Sequence, residues 1–192
     1  AWGGYLATLF RNQDGSLRIM SKAGRTARIS VSGMLTNSPN WFAMIFGVGN
    51  TLYPEVIKAI AMAEQDGEVD EIEMYFDTPG GSVAGLFDTV AAIQSAKKPV
   101  KAVIGNQAAS AGYILASVAD EVVAANRASS VGSFGVAIDM SFSTDEELVS
   151  ITNTESPDKR PDMKTAEGQA VVRKHLDALY DLFADSVATA RG

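Results

Sequence analysis

The segment EIEMYFDTPGGSVAGLFDTVAAIQSAKKPV, residues 71–100, decides the fold class of this chain. It opens with a pattern typical of a β-strand, and the Pro-Gly-Gly at residues 79–81 marks a tight turn. Apolar residues then recur at helical spacing, at Val83, Leu86, Phe87, Val90 and Ile93. Pro99 marks the exit into another strand, over residues 100–105. We therefore predict a strand, a turn, a helix and a second strand.

The flanking segments extend this alternation in both directions. Residues 27–35 alternate apolar and polar positions, which predicts a strand with one face inward. Residues 110–120 are predicted to form a helix, and residues 121–125 a further strand. Alternating strands and helices favour an α/β fold with a mostly parallel sheet and flanking helices.

Two longer helices complete the prediction. Residues 51–67 begin at a candidate cap, Thr51, carry Pro54 in the first turn and stop at Gly67. A polar loop over residues 150–165 precedes a final helix, whose apolar stripe consists of Val172, Leu176, Leu179, Phe183 and Val187.

Residues 36–50 suggest a short core-packing helix, or else an apolar subunit or substrate surface containing Trp41, Phe42 and Phe46.

Composition excludes several function classes. With 192 residues and 46% hydrophobic content, we expect one domain over residues 1–192, with ends open to trimming or processing. The net charge of −7, without a basic stripe, argues against nucleic-acid partners. The absence of cysteine excludes a thiolate nucleophile and disulfides. No apolar run approaches the roughly 20 residues that cross a bilayer, so we expect a soluble chain without a transmembrane span.

The loop DTPGGSVAG, residues 77–85, is the first candidate site element. Gly80 and Gly81 allow close backbone approach, and amides exposed before the next helix can donate hydrogen bonds to a developing oxyanion. A simple tight turn capped by Ser82 is the structural alternative.

The loop NQAASAGY, residues 106–113, is the second candidate element. Ser110 lies at a predicted strand-to-helix turn among small residues, which suits a nucleophile that a substrate backbone must reach. A serine that only caps the helix is the alternative. Both loops follow strands of one sheet at their carboxyl ends, where α/β folds gather their sites. The chain has a single histidine, His175, on a predicted amphipathic helix, so the search for a base turns to lysine.

Four segments carry a resemblance to a known family: DTPGGSV (77–83), NQAASAGYILASVADEVVA (106–124), SSVGSFGV (129–136) and SPDKRPDMKTAEG (156–168). They resemble the serine peptidases of the signal peptide peptidase A family, including the phage relatives that mature proheads. The resemblance covers about residues 27–185. It implies a Clp-protease/crotonase-like α/β fold and a serine–lysine catalytic dyad.

The resemblance also implies roles for individual residues. Ser110 would be the nucleophile, and the amides of Gly81, or Gly80, and Ala111 would form the oxyanion hole. Ser133 would carry a hydroxyl that helps to hold the lysine, and Lys159 would be the general base. Lys164 is a rival base in the same segment, whereas Lys97, Lys98 and Lys101 are interpreted as solvated ends of a strand.

A lysine can act as a base only when it is neutral, so its pKa must fall by several units in an apolar, closed site. No cofactor or metal is expected.

The function predicted from these residues is a serine endopeptidase that forms an acyl-enzyme on polypeptide substrates. Phage or prophage scaffold or capsid proteins are the expected substrates, and degradation of signal peptides is the alternative. Expected surroundings are the cytoplasm of a bacterial host or a phage prohead, with the chain in a homo-oligomer. Alternatives of another class are a crotonase-like acyl-coenzyme A enzyme, although no glutamate adjoins either loop, and a non-catalytic assembly protein.

Overall fold

A computed structural model describes residues 17–39, 50–138 and 161–191. The described residues up to Phe134, together with Ser186–Arg191, belong to one compact unit. Those from Gly135 to Asp185 belong to a second compact unit. The prediction of a single domain over residues 1–192 stays a prediction.

The first unit is built on a sheet whose described strands include the predicted ones. In chain order they are β1 (Met20–Ala23), β2 (Thr26–Thr36), β3 (Asn50–Leu52), β4 (Glu71–Gly81), β5 (Val100–Ala109), β6 (Glu121–Ala124) and β7 (Ser130–Gly132). Its helices are α1 (Tyr53–Gln65), α2 (Leu86–Gln94) and α3 (Ala111–Ser117). The remaining described helix, α4 (Ala166–Arg191), belongs to the second unit up to Asp185.

The strands lie in the order β1-β2-β4-β5-β6, with β3 paired to β2 and β7 paired to β5. The β1–β2 pair is antiparallel, and every other described pair is parallel. The predicted α/β fold with a mostly parallel sheet and flanking helices is therefore confirmed. Because β4 and β5 are parallel neighbours, their carboxyl ends and the loops that follow lie side by side.

The core lies between one face of the sheet and helices α1, α2 and α3. Every second residue of β2 and β4 points into it, and fully buried members of this set are Ala27, Ile29, Val31, Ile72, Met74 and Phe76. The intervening residues of β2, such as Arg28 and Ser30, are exposed. This alternation is the period-two pattern that the sequence predicted.

Several element boundaries differ from the prediction. Thr51 does not cap α1, because it lies in β3 and its hydroxyl bonds to the backbone of Ser32. The strand β4 runs through the Pro-Gly-Gly segment to Gly81, and α2 begins only at Leu86. Most of the helix predicted within 36–50, including Trp41, Phe42 and Phe46, lies outside the described residues.

The final helix, α4, spans Ala166–Arg191, as its apolar spacing predicted. Phe183 is buried, and the other four members of the stripe are half-buried. Among the helices that the structure describes, none combines the length and the hydropathy that a bilayer crossing requires.

Candidate active site

Ser110 forms a sharp turn between β5 and α3. Its backbone adopts φ 51° and ψ −122°, and among the described residues only Ser133 is another non-glycine residue with positive φ. Such conformations cost about 1–3 kcal/mol and persist where the surroundings impose them. A strained strand-to-helix turn is also the way in which α/β hydrolases expose a nucleophilic hydroxyl.

The backbone of Ser110 is held from both sides. Its N–H donates to the carbonyl oxygen of Gly132 at 2.8 Å, and its own carbonyl accepts from Ile114 N–H at 3.2 Å. Although Ser110 occupies the N-cap position of α3, its side chain makes no capping hydrogen bond in the described part of the chain. The alternative in which this serine serves only as a helix cap therefore lacks the contact that it requires.

Gly80 lies directly against this turn. It has φ 101°, and a Cβ built on it would lie 2.7 Å from Ser110 Cβ, 2.8 Å from the Ala109 carbonyl oxygen and 3.0 Å from Ala111 N. No larger residue fits here without moving the backbone. The structure thus brings together the two loops that the sequence identified separately.

The amides around this contact differ in their partners. Gly80 N–H donates to Thr78 Oγ1 at 3.0 Å, and Ser82 N–H donates to the carbonyl oxygen of Leu35 at 2.9 Å. Gly81 lies between these two bonded amides. Ala111 is the first residue of α3, so its N–H has no partner within the helix.

The chain after Gly81 is fixed by a buried tyrosine. Tyr53 is 1% exposed and donates from its hydroxyl to the Ser82 carbonyl oxygen at 2.7 Å. Burial raises the pKa of Tyr53 above its ordinary value, so the hydroxyl keeps its proton and remains a donor. Ser82 does not cap α2, because the N-cap residue is Gly85 at φ 88°.

Ser133 lies next to the Ser110 turn along the β5–β7 pair. The last rung of that pair joins Ala109 to Gly132, so the residues that follow it are Ser110 and Ser133. Ser133 is exposed and has φ 55°. The following ring, Phe134, packs edge to face on Tyr113 of α3, with ring centroids 6.2 Å apart.

The predicted base, Lys159, lies outside the described residues. Its rival Lys164 is exposed, and its N–H donates to Asp162 Oδ1 at 2.9 Å. The side chain of Thr165 accepts from Gly168 N–H at 3.0 Å, which caps the start of α4. Within the described part of the chain, the surroundings of Lys164 therefore lack the apolar enclosure that a neutral lysine needs.

The lysines before Ser110 lie at the opposite end of β5. Lys101 pairs with Glu121 at 3.2 Å. Lys98 was predicted to be solvated at the end of a strand. Its ammonium instead donates to the carbonyl oxygens of Ala63 at 2.5 Å and Asp66 at 2.7 Å. His175 is exposed on α4. Within the described ranges, no cluster of histidine, aspartate and glutamate could hold a metal ion.

Sequence reasoning passed over Thr78, although the quoted motif contains it. Ile72, Met74, Phe76 and Thr78 alternate on the buried face of β4, and Thr78 is 0% exposed. A polar residue in the register of a buried face must find hydrogen-bond partners, and that pattern was the available signal.

Two protein-family models match this chain. The family model Peptidase family S49 matches residues 92–192, and the model Clp protease matches residues 29–131. The expected Clp-protease-like fold is thereby confirmed. The chain is 30% identical over 153 residues to "Capsid assembly protease C" of Escherichia phage lambda. This match covers 75% of the chain but only 35% of the phage protein, so the chain spans about a third of that relative's length.

Solved structures of enoyl-CoA hydratase type are also similar. A Polaromonas sp. JS666 enoyl-CoA hydratase is 26% identical with a TM-score of 0.44, covering 57% of this chain and 48% of that one. A putative enoyl-CoA hydratase/isomerase from Acinetobacter baumannii is 16% identical with a TM-score of 0.45, with the same coverage of 57% and 48%.

Proposed function

Because the chain belongs to peptidase family S49, we propose that it is a serine endopeptidase that cleaves polypeptides through an acyl-enzyme on Ser110. The observation that carries this proposal is the contact of Gly80 with the strained Ser110 turn. That contact places a glycine-rich strand end against a serine whose hydroxyl has no capping role. A reactive hydroxyl and nearby backbone donors are the two parts that acyl transfer needs.

The oxyanion hole is proposed to consist of the Gly81 and Ala111 amides. The amides of Gly80 and Ser82 already donate, to Thr78 Oγ1 and to the Leu35 carbonyl oxygen of β2. Gly81 is therefore the better donor of the two glycines.

The proposed reaction proceeds in two stages. The Ser110 hydroxyl oxygen attacks the scissile carbonyl carbon while a neutral lysine, Lys159, removes the hydroxyl proton. The C–N bond then breaks, and the lysine ammonium returns the proton to the leaving amine. Water next attacks the acyl-enzyme with the same lysine as base, which releases the carboxylic product and restores the Ser110 hydroxyl. Ser133 is proposed to hold the lysine.

The substrates are proposed to be scaffold or capsid proteins of a phage or prophage. The support is the relative from phage lambda, whose name describes a capsid assembly protease. A homo-oligomer and a prohead or bacterial cytoplasm as the place of action belong to the same proposal. Light scattering tests the oligomer, because a mass near the 20.3 kDa of one chain would contradict it.

A serine-directed acylating probe tests the nucleophile. We expect a β-lactone probe to add one acyl group to the wild-type chain at Ser110 and to add none to Ser110→Ala. Ser95→Ala is the matched control, since Ser95 is an exposed serine at the end of α2 and should leave labelling unchanged. Labelling that persists in Ser110→Ala would exclude the proposed nucleophile.

The base is tested by two lysine variants. Lys159→Ala should lower cleavage of an unfolded polypeptide by at least about a thousandfold, since serine alone is a weak nucleophile near neutral pH. Lys164→Ala should retain cleavage. The reverse result would assign the base to Lys164, and full cleavage by both variants would exclude the dyad.

A further inference from the structure

Thr78 carries a fully buried hydroxyl at the end of β4, and it bonds to two backbones. Its Oγ1 donates to the Gly33 carbonyl oxygen at 2.6 Å and accepts from Gly80 N–H at 3.0 Å. The residue is 0% exposed. Both hydrogen-bonding functions of the hydroxyl are thus used inside the protein, without solvent.

This hydroxyl lies at an irregularity in the β2–β4 pairing. The register of the two strands shifts between Ser32 and Met34, which leaves Gly33 outside the pairing at φ 68°. Ser82 N–H reaches the Leu35 carbonyl oxygen directly. Two residues earlier, the Thr78 hydroxyl bonds to both the Gly80 N–H and the Gly33 carbonyl oxygen. The side chain therefore ties the two strands together beside the Ser110 turn.

The methyl group of Thr78 faces the other half of the site. A Cβ built on Gly112 would lie 2.4 Å from Thr78 Cγ2. Gly112 is the second residue of α3, directly after Ala111. One side chain thus fixes the strand end that carries Gly81 and also touches the helix that presents the Ala111 amide.

We infer that Thr78 is a positioning residue for the oxyanion hole. Its hydroxyl engages the Gly80 amide and orients the peptide that follows. The position of the Gly81 amide relative to that of Ala111 then depends on the Thr78 hydroxyl. This inference rests on the proposed peptidase function and adds a residue that does not touch the substrate.

The test compares two threonines with matched contacts. Thr78→Val keeps the shape and removes the hydroxyl, whereas Thr78→Ser keeps the hydroxyl and removes the methyl group. Thr51→Val is the control, because Thr51 is 2% exposed. Its hydroxyl accepts from Ser32 N–H at 3.0 Å and donates to the Ser32 carbonyl oxygen at 2.7 Å. Both hydroxyls bridge onto β2, but only Thr78 contacts Gly80 and α3.

We expect Thr78→Val to lower kcat by about 10- to 100-fold, because displaced oxyanion donors stabilise the transition state less. KM should change by less than about threefold, since the ground-state contacts remain. The affinity of a peptide aldehyde, which forms a tetrahedral adduct, should fall in parallel with kcat. Thr51→Val and Thr78→Ser should each keep kcat within about threefold of wild type.

Three outcomes overturn the inference. Equal losses of kcat in Thr78→Val and Thr51→Val would show a general effect of losing a buried hydroxyl. A wild-type kcat in a folded Thr78→Val variant would show that Thr78 does not position the oxyanion hole. If Thr78→Val does not fold, Thr78→Ser decides, and a loss of kcat above about tenfold in that variant contradicts a role for the hydroxyl.

Labelling of the wild-type chain separates this inference from the proposed function. Acylation at Ser110 together with an unaffected Thr78→Val overturns the inference alone. A wild-type chain that is not acylated at Ser110 and does not cleave polypeptides overturns both.

Discussion

At the carboxyl ends of β4 and β5, close contacts join residues far apart in the sequence, whereas at the start of α4 an equally close contact is local. A Cβ on Gly81 would lie 1.9 Å from the carbonyl oxygen of Leu35, on another strand. A Cβ on Gly168 would also lie 1.9 Å from a carbonyl oxygen, that of Asp162 in the turn just before the helix. The two glycines are thus equally close to a carbonyl oxygen, but only the Gly81 contact joins two segments that are distant in the sequence.

This difference teaches which of the two regions can hold a fixed geometry. Gly81 and Leu35 belong to paired strands that are buried on one face, so neither backbone can shift without disturbing the core. Gly168 and Asp162 belong to one helix cap, which can fray or adjust within a single turn. The proposed oxyanion donors therefore lie in the rigid region, and Lys164 lies in the adjustable one.

The largest effect should follow from Gly81→Ala. The added methyl group meets the carbonyl oxygen, carbon and nitrogen of Leu35 at 1.9, 2.6 and 2.6 Å. Because all three are backbone atoms in a paired strand, we expect the free energy of unfolding to fall by about 3 kcal/mol. Urea denaturation followed by circular dichroism measures this.

Gly67→Ala is the control for that variant. A Cβ on Gly67 meets nothing within 4 Å, and its φ lies outside the left-handed region. It should be neutral or stabilise by less than about 1 kcal/mol, through the unfolded chain. A loss below about 1 kcal/mol in Gly81→Ala would show that the strand end is not rigid.

The contact between α3 and β4 gives the next largest effect. Gly112→Ala places a methyl group 2.4 Å from Thr78 Cγ2, so we expect a loss of about 2 kcal/mol in the free energy of unfolding. Thr78→Ser removes the opposing methyl group. The double variant should therefore recover about 1 kcal/mol relative to the sum of the single variants, by the same denaturation measurement. Additive losses would place the strain elsewhere than at this contact.

Much of the fold was predictable because its signals are local. The strand at 27–35 and the final helix follow from the spacing of apolar residues, and both were found where that spacing indicated. The Ser110 turn was also predictable as a strand-to-helix junction among small residues. Such patterns report on the chain itself and need no knowledge of its neighbours.

The parts that were missed depend on neighbours. Thr51 looked like a cap from its local sequence, but it lies in β3 because its partner is the backbone of Ser32. The Pro-Gly-Gly segment looked like a turn, but β2 continues alongside it and keeps Gly80 and Gly81 in the sheet. Thr78 was missed because the residues that it contacts, Gly33 and Gly112, are far from it in the sequence.

Relief of backbone strain at Ser110 should have a smaller effect on the free energy of unfolding, and one of opposite sign. Ser110→Gly removes the side chain that disfavours φ 51°, so the free energy of unfolding should rise by about 1 kcal/mol while cleavage is lost. Thermal denaturation and a peptidase assay measure the two quantities. Ser95→Gly is the control, because Ser95 has an ordinary φ of −88° and should gain no stability from glycine. A destabilised Ser110→Gly would mean that the turn is not strained.

The smallest change in the free energy of unfolding should come from Gly168→Ala. This variant tests most directly whether the start of α4 is less rigid than the strand end at Gly81. The built Cβ lies as close to a carbonyl oxygen as that on Gly81, at 1.9 Å. However, the turn from Asp162 can open without moving a strand, and alanine favours a helix over glycine by about 1 kcal/mol. We therefore expect the free energy of unfolding to fall by less than about 1 kcal/mol, with faster amide exchange confined to the first turn of α4. A loss equal to that of Gly81→Ala would show that the start of α4 is held as firmly as the strand ends. The contrast between a rigid and an adjustable region would then fail.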